Sequence, residues 1–448
     1  MQHKDHARAF TPEIEGEGST FGGRRHRHRG GRGRRSLFRT GDHPRLGAIE
    51  IFRYIGPGLL VTIGFIDPGN WASNLAAGST FGYSLIWVVS LGTIMLMLLQ
   101  HNAAHLGIAT GYCLSEAASI HLPRRVSVPI LGSAVAAAIS TALAEVLGAA
   151  IAINLLTGLP LRGAVVLAAA FTLFMLFSNS YRRLEKWIIG FVSLIGLSFV
   201  FELGLVKVDW GLAASSAFLP SFPKGSILVI MSLLGSVVMP HNLFLHSEII
   251  QSRQWNLEDE SKMRHQLRFE FTDTMFSMVV GWAINCAIIV LAAAAFHAAG
   301  TRVEALGDAK RLLEPLMGKA AGLVFAAALL FSGISSSITA GMAGGAIYTG
   351  VFGECYDLED RHTKFGILLT IVGAAFIALF VRDPFWALVI SQMVLSIQLP
   401  FTIFTQIALT SSRKVMGDFV NTRLTTAILF GCGLIVSALN VVLVVSAF

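Results

Sequence analysis

The sequence predicts an all-α membrane protein, and three observations carry that reading. Of its 448 residues 54% are hydrophobic and only 14% charged, where a soluble chain carries roughly a quarter charged. The apolar residues gather in long runs, among them 85–100, 187–206 and 424–447. Such runs approach the ~20 residues that an α-helix needs to cross a ~30 Å hydrocarbon core. They are also solid apolar blocks, whereas a transmembrane β-barrel would alternate apolar and polar residues.

Residues 1–45 differ in composition from the rest of the chain, and Gly22 to Arg35 is rich in glycine and arginine. This stretch has no apolar period, so a disordered cytoplasmic tail is expected, solvated and helping to fix topology. Arginine-rich runs can also hold anionic lipid or nucleic acid, but the topological role accounts for this one and no nucleic-acid partner is expected. The first apolar run opens near residue 54, so no cleavable signal is expected. Residues 46–448 read as one transmembrane domain. Eleven spans are predicted, at about 53–79, 82–107, 127–157, 161–179, 185–206, 226–248, 268–297, 319–350, 365–381, 385–411 and 424–447. Cys113, Cys286, Cys355 and Cys432 stand far apart; with no Cys-x-x-Cys pair they are read as buried small apolar residues.

Basic residues set the orientation. With the N-terminus in the cytoplasm, 26 of the 34 Lys and Arg fall on that side, in keeping with the positive-inside bias. They include Arg124-Arg125, Arg182-Arg183 with Lys186, Arg253 to Arg268, Arg361 with Lys364, and Arg413-Lys414 with Arg423. Leaving out those before and at the opening of the first span, the split is still 14 to 8. The C-terminus is then expected outside a cell membrane, inner or plasma.

Two spans are broken in the same way. The first carries Asp67-Pro68-Gly69-Asn70 near its middle, and the sixth carries Met239-Pro240-His241-Asn242. Proline removes a backbone donor and clashes with the preceding turn, so each helix should unwind there. A buried Asp67 at that depth is costly unless it has a task. Interrupted helices at matched positions of two five-helix halves point to an inverted-repeat transporter with its substrate at mid-membrane. The alternative is a pair of proline kinks satisfied by neighbouring helices. Asp67 offers an anionic oxygen, Asn70 a neutral oxygen and Met239 a soft thioether, while carbonyls at Gly64 and Ser236 lose their helical donors. Oxygens alone would suit Mg²⁺ or Ca²⁺; a thioether among them favours Mn²⁺, Fe²⁺ and similar ions. Ser332 to Ser337 and Gly341 to Gly345, in the eighth span, are read as small-residue packing.

These paired motifs, continued as Leu243-Phe244-Leu245-His246-Ser247, resemble the Nramp family of divalent metal transporters. Gly56-Pro57-Gly58, Gly82-Tyr83-Ser84-Leu85 with Trp87, and Ser391-Gln392 add to the likeness, which runs from about residue 50 to the C-terminus. The resemblance implies a LeuT-like fold: repeat one over about 53–206, repeat two over about 226–411, and an extra eleventh helix over about 424–447. It also implies metal binding by Asp67, Asn70, Met239 and the Ser236 carbonyl, with Gln392 joining in some conformations.

The chain departs from the family along the proton route. Proton-coupled members carry acids in the third span and an arginine pair in the ninth. Here Val135 and Ala142 stand at acidic positions, leaving Glu145, and Gly366 and Ile367 stand at the arginine positions. Asp67, Glu145, His241 and His246 are the remaining proton-transfer candidates. His241 adjoins the metal ligands, and imidazole titrates near neutral pH; hydrogen-bonded structural roles are the alternative for Glu145, His241 and His246.

The expected function is secondary-active or facilitative transport of Mn²⁺, Fe²⁺ and similar ions by alternating access, with proton coupling weakened or absent. An Nramp relative tuned to Mg²⁺, or of broad divalent selectivity, is the alternative, and Met239 argues against it. Asp67 argues against an amino-acid carrier of the same architecture. No enzyme activity and no resident cofactor are expected; the partners are the metal ion, protons and the lipid bilayer.

Overall fold

The computed structural model describes residues 67–178, 203, 206–252, 260–303, 305–307 and 319–447. The expected tail, the first half of the first span with Gly64, and nearly all of the fifth span lie outside the described residues. Within them every regular element is helical.

The first repeat contributes α1 (Pro68–Phe81), α2 (Ile86–Thr110), the short α3 (Leu114–His121), α4 (Arg124–Thr157) and α5 (Leu161–Ser178). After α6 (Trp210–Ser216) come α7 (Ile227–Val237) and α8 (Pro240–Ser252), then α9 (Glu260–Ala292), which runs into a π-helical turn at Ala293–His297. The rest is α10 (Lys319–Val351), α11 (Arg361–Phe380), α12 (Pro384–Thr410), the single turn α13 (Arg413–Met416) and α14 (Arg423–Ala447). Taking α7 and α8 as one span, nine described helices are long and apolar enough to cross a membrane. They occupy the expected second to fourth and sixth to eleventh spans, and α1 is the second half of the first.

Short polar signals end these apolar blocks. Asp360 caps α11 by accepting from the His362 and Thr363 amides, and Asp383 caps α12 ahead of Pro384. An aspartate before a helix followed by proline in its first turn supplies an acceptor for orphan amides and a preset φ.

Small residues bring α10 close to its neighbours. A Cβ on Gly333 would stand 2.6 Å from the Ala149 nitrogen of α4, and one on Gly344 would stand 2.0 Å from Thr370 Oγ1 of α11. The serine and glycine run of the eighth span is thus close-packed helix surface. Burial separates centre from rim: 89% of the apolar window in Ile227–Ile250 is buried, against 28% in Arg423–Val445. The span broken at Met239 therefore lies in the interior.

Candidate metal site

The break in the sixth span is present, and the described part of the first span begins as a helix at the Asp67-Pro68 signal. Asp67 is extended at φ −81° and ψ 160°, and its side chain accepts from the Asn70 amide, so it is the N-cap of α1 with Pro68 in the first turn. One carboxylate oxygen is used in this way. Asp67 Oδ2 has no N–H or O–H donor, and neither polar atom of the Asn70 side chain has a partner, although both residues are fully buried. Buried polar groups are normally satisfied, so these three atoms mark a candidate ligand-binding position.

The second break runs through Val238 and Met239, between the end of α7 and Pro240. A helical carbonyl is normally satisfied by the amide four residues on, and for Ser236 that residue is Pro240, which has none. Its oxygen lies at the C-terminal, negative end of α7, where a cation is favoured. Met239 is 1% exposed, packs with Ala137 of α4 and Leu395 of α12, and its sulfur accepts from Asn242 Nδ2 at 3.2 Å.

Close backbone approaches bring the parts together. A Cβ on Gly69 would lie 1.9 Å from Gln392 Nε2, and one on Gly235 would lie 2.0 Å from the Gln392 carbonyl oxygen. Gln392, buried on α12, thus touches the start of α1 and the end of α7, and its Oε1 has no hydrogen-bond partner. Ser73 on α1 and Ser232 on α7 share a hydrogen bond of 2.5 Å, and Ser232 donates to the Val389 carbonyl of α12 at 3.0 Å. On the other side Gly148 of α4 lets Pro68 pack where a Cβ would stand 2.1 Å from Pro68 Cβ.

This approach sets Glu145, one turn before Gly148, against Asp67. The two buried carboxyl groups face one another, and Thr141 Oγ1 donates to Glu145 Oε1 at 3.2 Å.

A family profile described as Natural resistance-associated macrophage protein-like, abbreviated Nramp, matches residues 58–446. The chain belongs to the Nramp family. Relatives of this Nramp chain include the divalent metal cation transporter MntH of Ralstonia nicotianae, 40% identical over 407 residues, 88% of this chain and 91% of that one. The MntH of Caldanaerobacter subterraneus is 36% identical over 378 residues, 84% of this chain and 88% of that one. Among solved structures, the Eremococcus coleocola manganese transporter in complex with an aromatic bis-isothiourea compound superposes with a TM-score of 0.76. It is 28% identical and covers 90% of this chain and 88% of its own. Mhp1, a nucleobase-cation-symport-1 family transporter, shares the fold at a TM-score of 0.59 and 16% identity, covering 85% of this chain and 90% of its own. The architecture is thus the LeuT-like one that the family resemblance implied, and Nramp proteins are membrane transporters rather than enzymes.

The other expected residues of this Nramp chain are spread around the break in α7–α8. His241 is buried on the first turn of α8, and its Nδ1 has no partner. His246, further along α8, engages Glu270 Oε1 of α9 through Nε2 at 3.2 Å, away from the break. Val135, Ala142, Gly366 and Ile367 are all buried.

Two groupings escape a linear reading. Glu270 also takes His101 Nδ1 at 2.6 Å and Thr274 Oγ1 at 2.7 Å. His101 and His105 make a His-x-x-x-His pair on α2 and line a cavity of about 460 Å³ with Arg264, Asp418 and Asn421. Spacing alone could have found that pair; its partner Glu270, on another helix, could not be found that way. The second grouping revises the reading of the cysteines. Cys113 and Cys355 lie against carboxyl groups of this Nramp chain rather than serving only as apolar filler.

Proposed function

We propose that this chain carries divalent transition-metal ions, Mn²⁺ and Fe²⁺ among them, by alternating access. The ion is held by Asp67, Asn70, Met239 and the Ser236 carbonyl, with Gln392 joining. The observation that carries this reading is the set of unsatisfied buried atoms at Asp67 Oδ2, on the Asn70 side chain and at Gln392 Oε1, on elements packed against one another. The names of the relatives, divalent metal cation transporter and manganese transporter, support the same substrate class. Gly64, whose carbonyl precedes Pro68 by four residues, is proposed as a further oxygen on the same proline argument that frees Ser236.

Met239 decides between a transition metal and a hard ion. Isothermal titration should give Mn²⁺ binding that excess Mg²⁺ barely displaces. In Met239→Ala the Mn²⁺ affinity should fall about tenfold, equivalent to about 1.4 kcal/mol, with Mg²⁺ binding little changed. Unchanged Mn²⁺ affinity in that variant would remove Met239 from the site.

We also infer that proton coupling is weak. A relay needs successive groups that take and give protons within reach of one another. The Asp67–Glu145 pair can store a proton beside the metal, but Val135 and Ala142 on α4 and Gly366 and Ile367 on α11 offer no titratable group along the family's usual route. In proteoliposomes loaded with a pH-sensitive dye, inward Mn²⁺ transport should leave the lumen close to its starting pH. Acidification that disappears in Asp67→Ala would overturn the inference. The charge distribution supports a cytoplasmic N-terminus and an external C-terminus.

A further inference from the structure

Away from the transport site, four side chains from three segments meet at one end of the bundle. Cys113 precedes α3, Glu116 lies in its first turn, Glu248 lies in the last part of α8, and Cys355 comes after α10. Sulfur and carboxylate atoms of Cys113, Glu116 and Glu248 all lie within 4.8 Å of one another, and the Cys355 thiol donates to Glu116 Oε1 at 2.8 Å. Cys113 is 1%, Glu116 3% and Glu248 5% exposed.

Local structure holds the cluster in place. Glu116 Oε2 accepts from the Cys113 amide at 2.9 Å, closing a capping box at the start of α3. The Leu114 amide donates to Ser247 Oγ at 2.9 Å, which fixes α3 to α8 beside Glu248. Ser115 Oγ donates to the Ala346 carbonyl at 3.1 Å, and a Cβ on Gly350 would stand 2.2 Å from Ser115, which fixes α3 to α10.

Two facts distinguish this grouping from a capped helix end. Glu248 Oε2 is buried without a hydrogen-bond partner. Moreover, among the described residues no Lys, Arg or His forms an ion pair with Glu116 or Glu248. Two neighbouring buried carboxyl groups without a countercharge are costly as anions, and a bound dication supplies that charge. Thiols beside carboxylates suit Zn²⁺ and similar thiophilic ions rather than Mg²⁺ or Ca²⁺. Tetrahedral ligands about 2.0–2.3 Å from Zn²⁺ stand about 3.3–3.8 Å apart, so modest side-chain rotation closes the cluster.

We propose that Cys113, Glu116, Glu248 and Cys355 form a second metal site, selective for a Zn²⁺-like ion and distinct from the transport site. Each thiol that binds the ion gives its proton to solvent. The ion ties the far end of α8, the half-helix after Met239, to α3 and to the segment after α10. The site's placement on the cytoplasmic side, where thiols stay reduced, rests on the proposed cytoplasmic N-terminus; the binding test does not.

Co²⁺ added to the reduced, purified Asp67→Ala chain, whose transport site has lost its charged ligand, reports this site through absorption that only thiolate ligands give. Thiolate-to-cobalt charge-transfer absorption should saturate at one Co²⁺ per chain, and Zn²⁺ should abolish it. Cys113→Ser should weaken binding by at least the roughly 10–100-fold that losing even an outer-shell partner costs, and should reduce the absorption. Glu248→Gln should weaken binding while leaving the thiolate absorption at saturation. Cys355→Ser, at a half-buried position, carries the test if Cys113→Ser fails to elute as a monodisperse protein. Absence of the absorption in Asp67→Ala, or its persistence at full strength in both cysteine variants, would overturn the proposal. Neither result depends on whether Mn²⁺ binds at Asp67.

Discussion

Asp67→Asn should lose more than about 100-fold in Mn²⁺ affinity and nearly all Mn²⁺ uptake, while the chain folds and elutes as the wild type does. At an effective dielectric of about 20, opposite unit charges 4 Å apart attract by about 4 kcal/mol. A dication gains more, whereas 100-fold corresponds to only about 2.7 kcal/mol. Asparagine is chosen because Asp67 also caps α1. Asparagine caps about as well as aspartate, whereas alanine would cost about 1 kcal/mol of helix stability and confuse two effects. Titration calorimetry with Mn²⁺, alongside uptake into proteoliposomes, separates binding from transport. Affinity within about threefold of wild type would show that the carboxylate does not hold the ion.

Gly235→Ala should be the most damaging conservative change on α7. In an unconstrained helix, alanine is about 1 kcal/mol better than glycine. Here the added carbon would stand 2.0 Å from the Gln392 carbonyl oxygen and 2.9 Å from the Ser396 nitrogen, both backbone atoms. Backbone does not rotate aside as a side chain does, so α7 and α12 must separate. Overpacking of this kind costs about 1–3 kcal/mol, enough to outweigh the helix gain. Displacement would also move the Ser236 carbonyl and Gln392, so Mn²⁺ affinity should fall together with melting temperature. Gly132→Ala is the control: it sits on exposed helix with nothing within 4 Å of the new carbon, and should be neutral or slightly stabilising. A Gly235→Ala chain that melts and binds like the Gly132→Ala chain would show that the α7–α12 contact tolerates separation.

Much of the site was legible because the chemistry is local in the chain. Asp67 and Pro68 are adjacent, so one dipeptide specifies both the cap and the break. Met239 and Pro240 repeat the device, and the carbonyl that Pro240 leaves free is found by counting back four residues. His246 was legible as a residue but not as an interaction, since Glu270 and His101 come to it from other helices. The cysteine grouping was hidden for the same reason: Cys113 and Cys355 are more than two hundred positions apart, and Glu116 joins them only after α3 and α10 pack together.

The sequence by itself determined the all-helical membrane class, the helix-breaking signals at Pro68 and Pro240 and the side-chain types that stand beside them. These depend on apolar run length, on the missing amide of proline and on side-chain identity, none of which needs a partner. Only the tertiary structure decided that Glu145 faces Asp67, that Gln392 touches the start of α1 and the end of α7, and that two thiols and two carboxyl groups lie together at one end of the bundle. Those relations depend on which helix faces admit close approach. Glycines at 69, 148 and 235 permit it, through contacts between segments far apart along the chain.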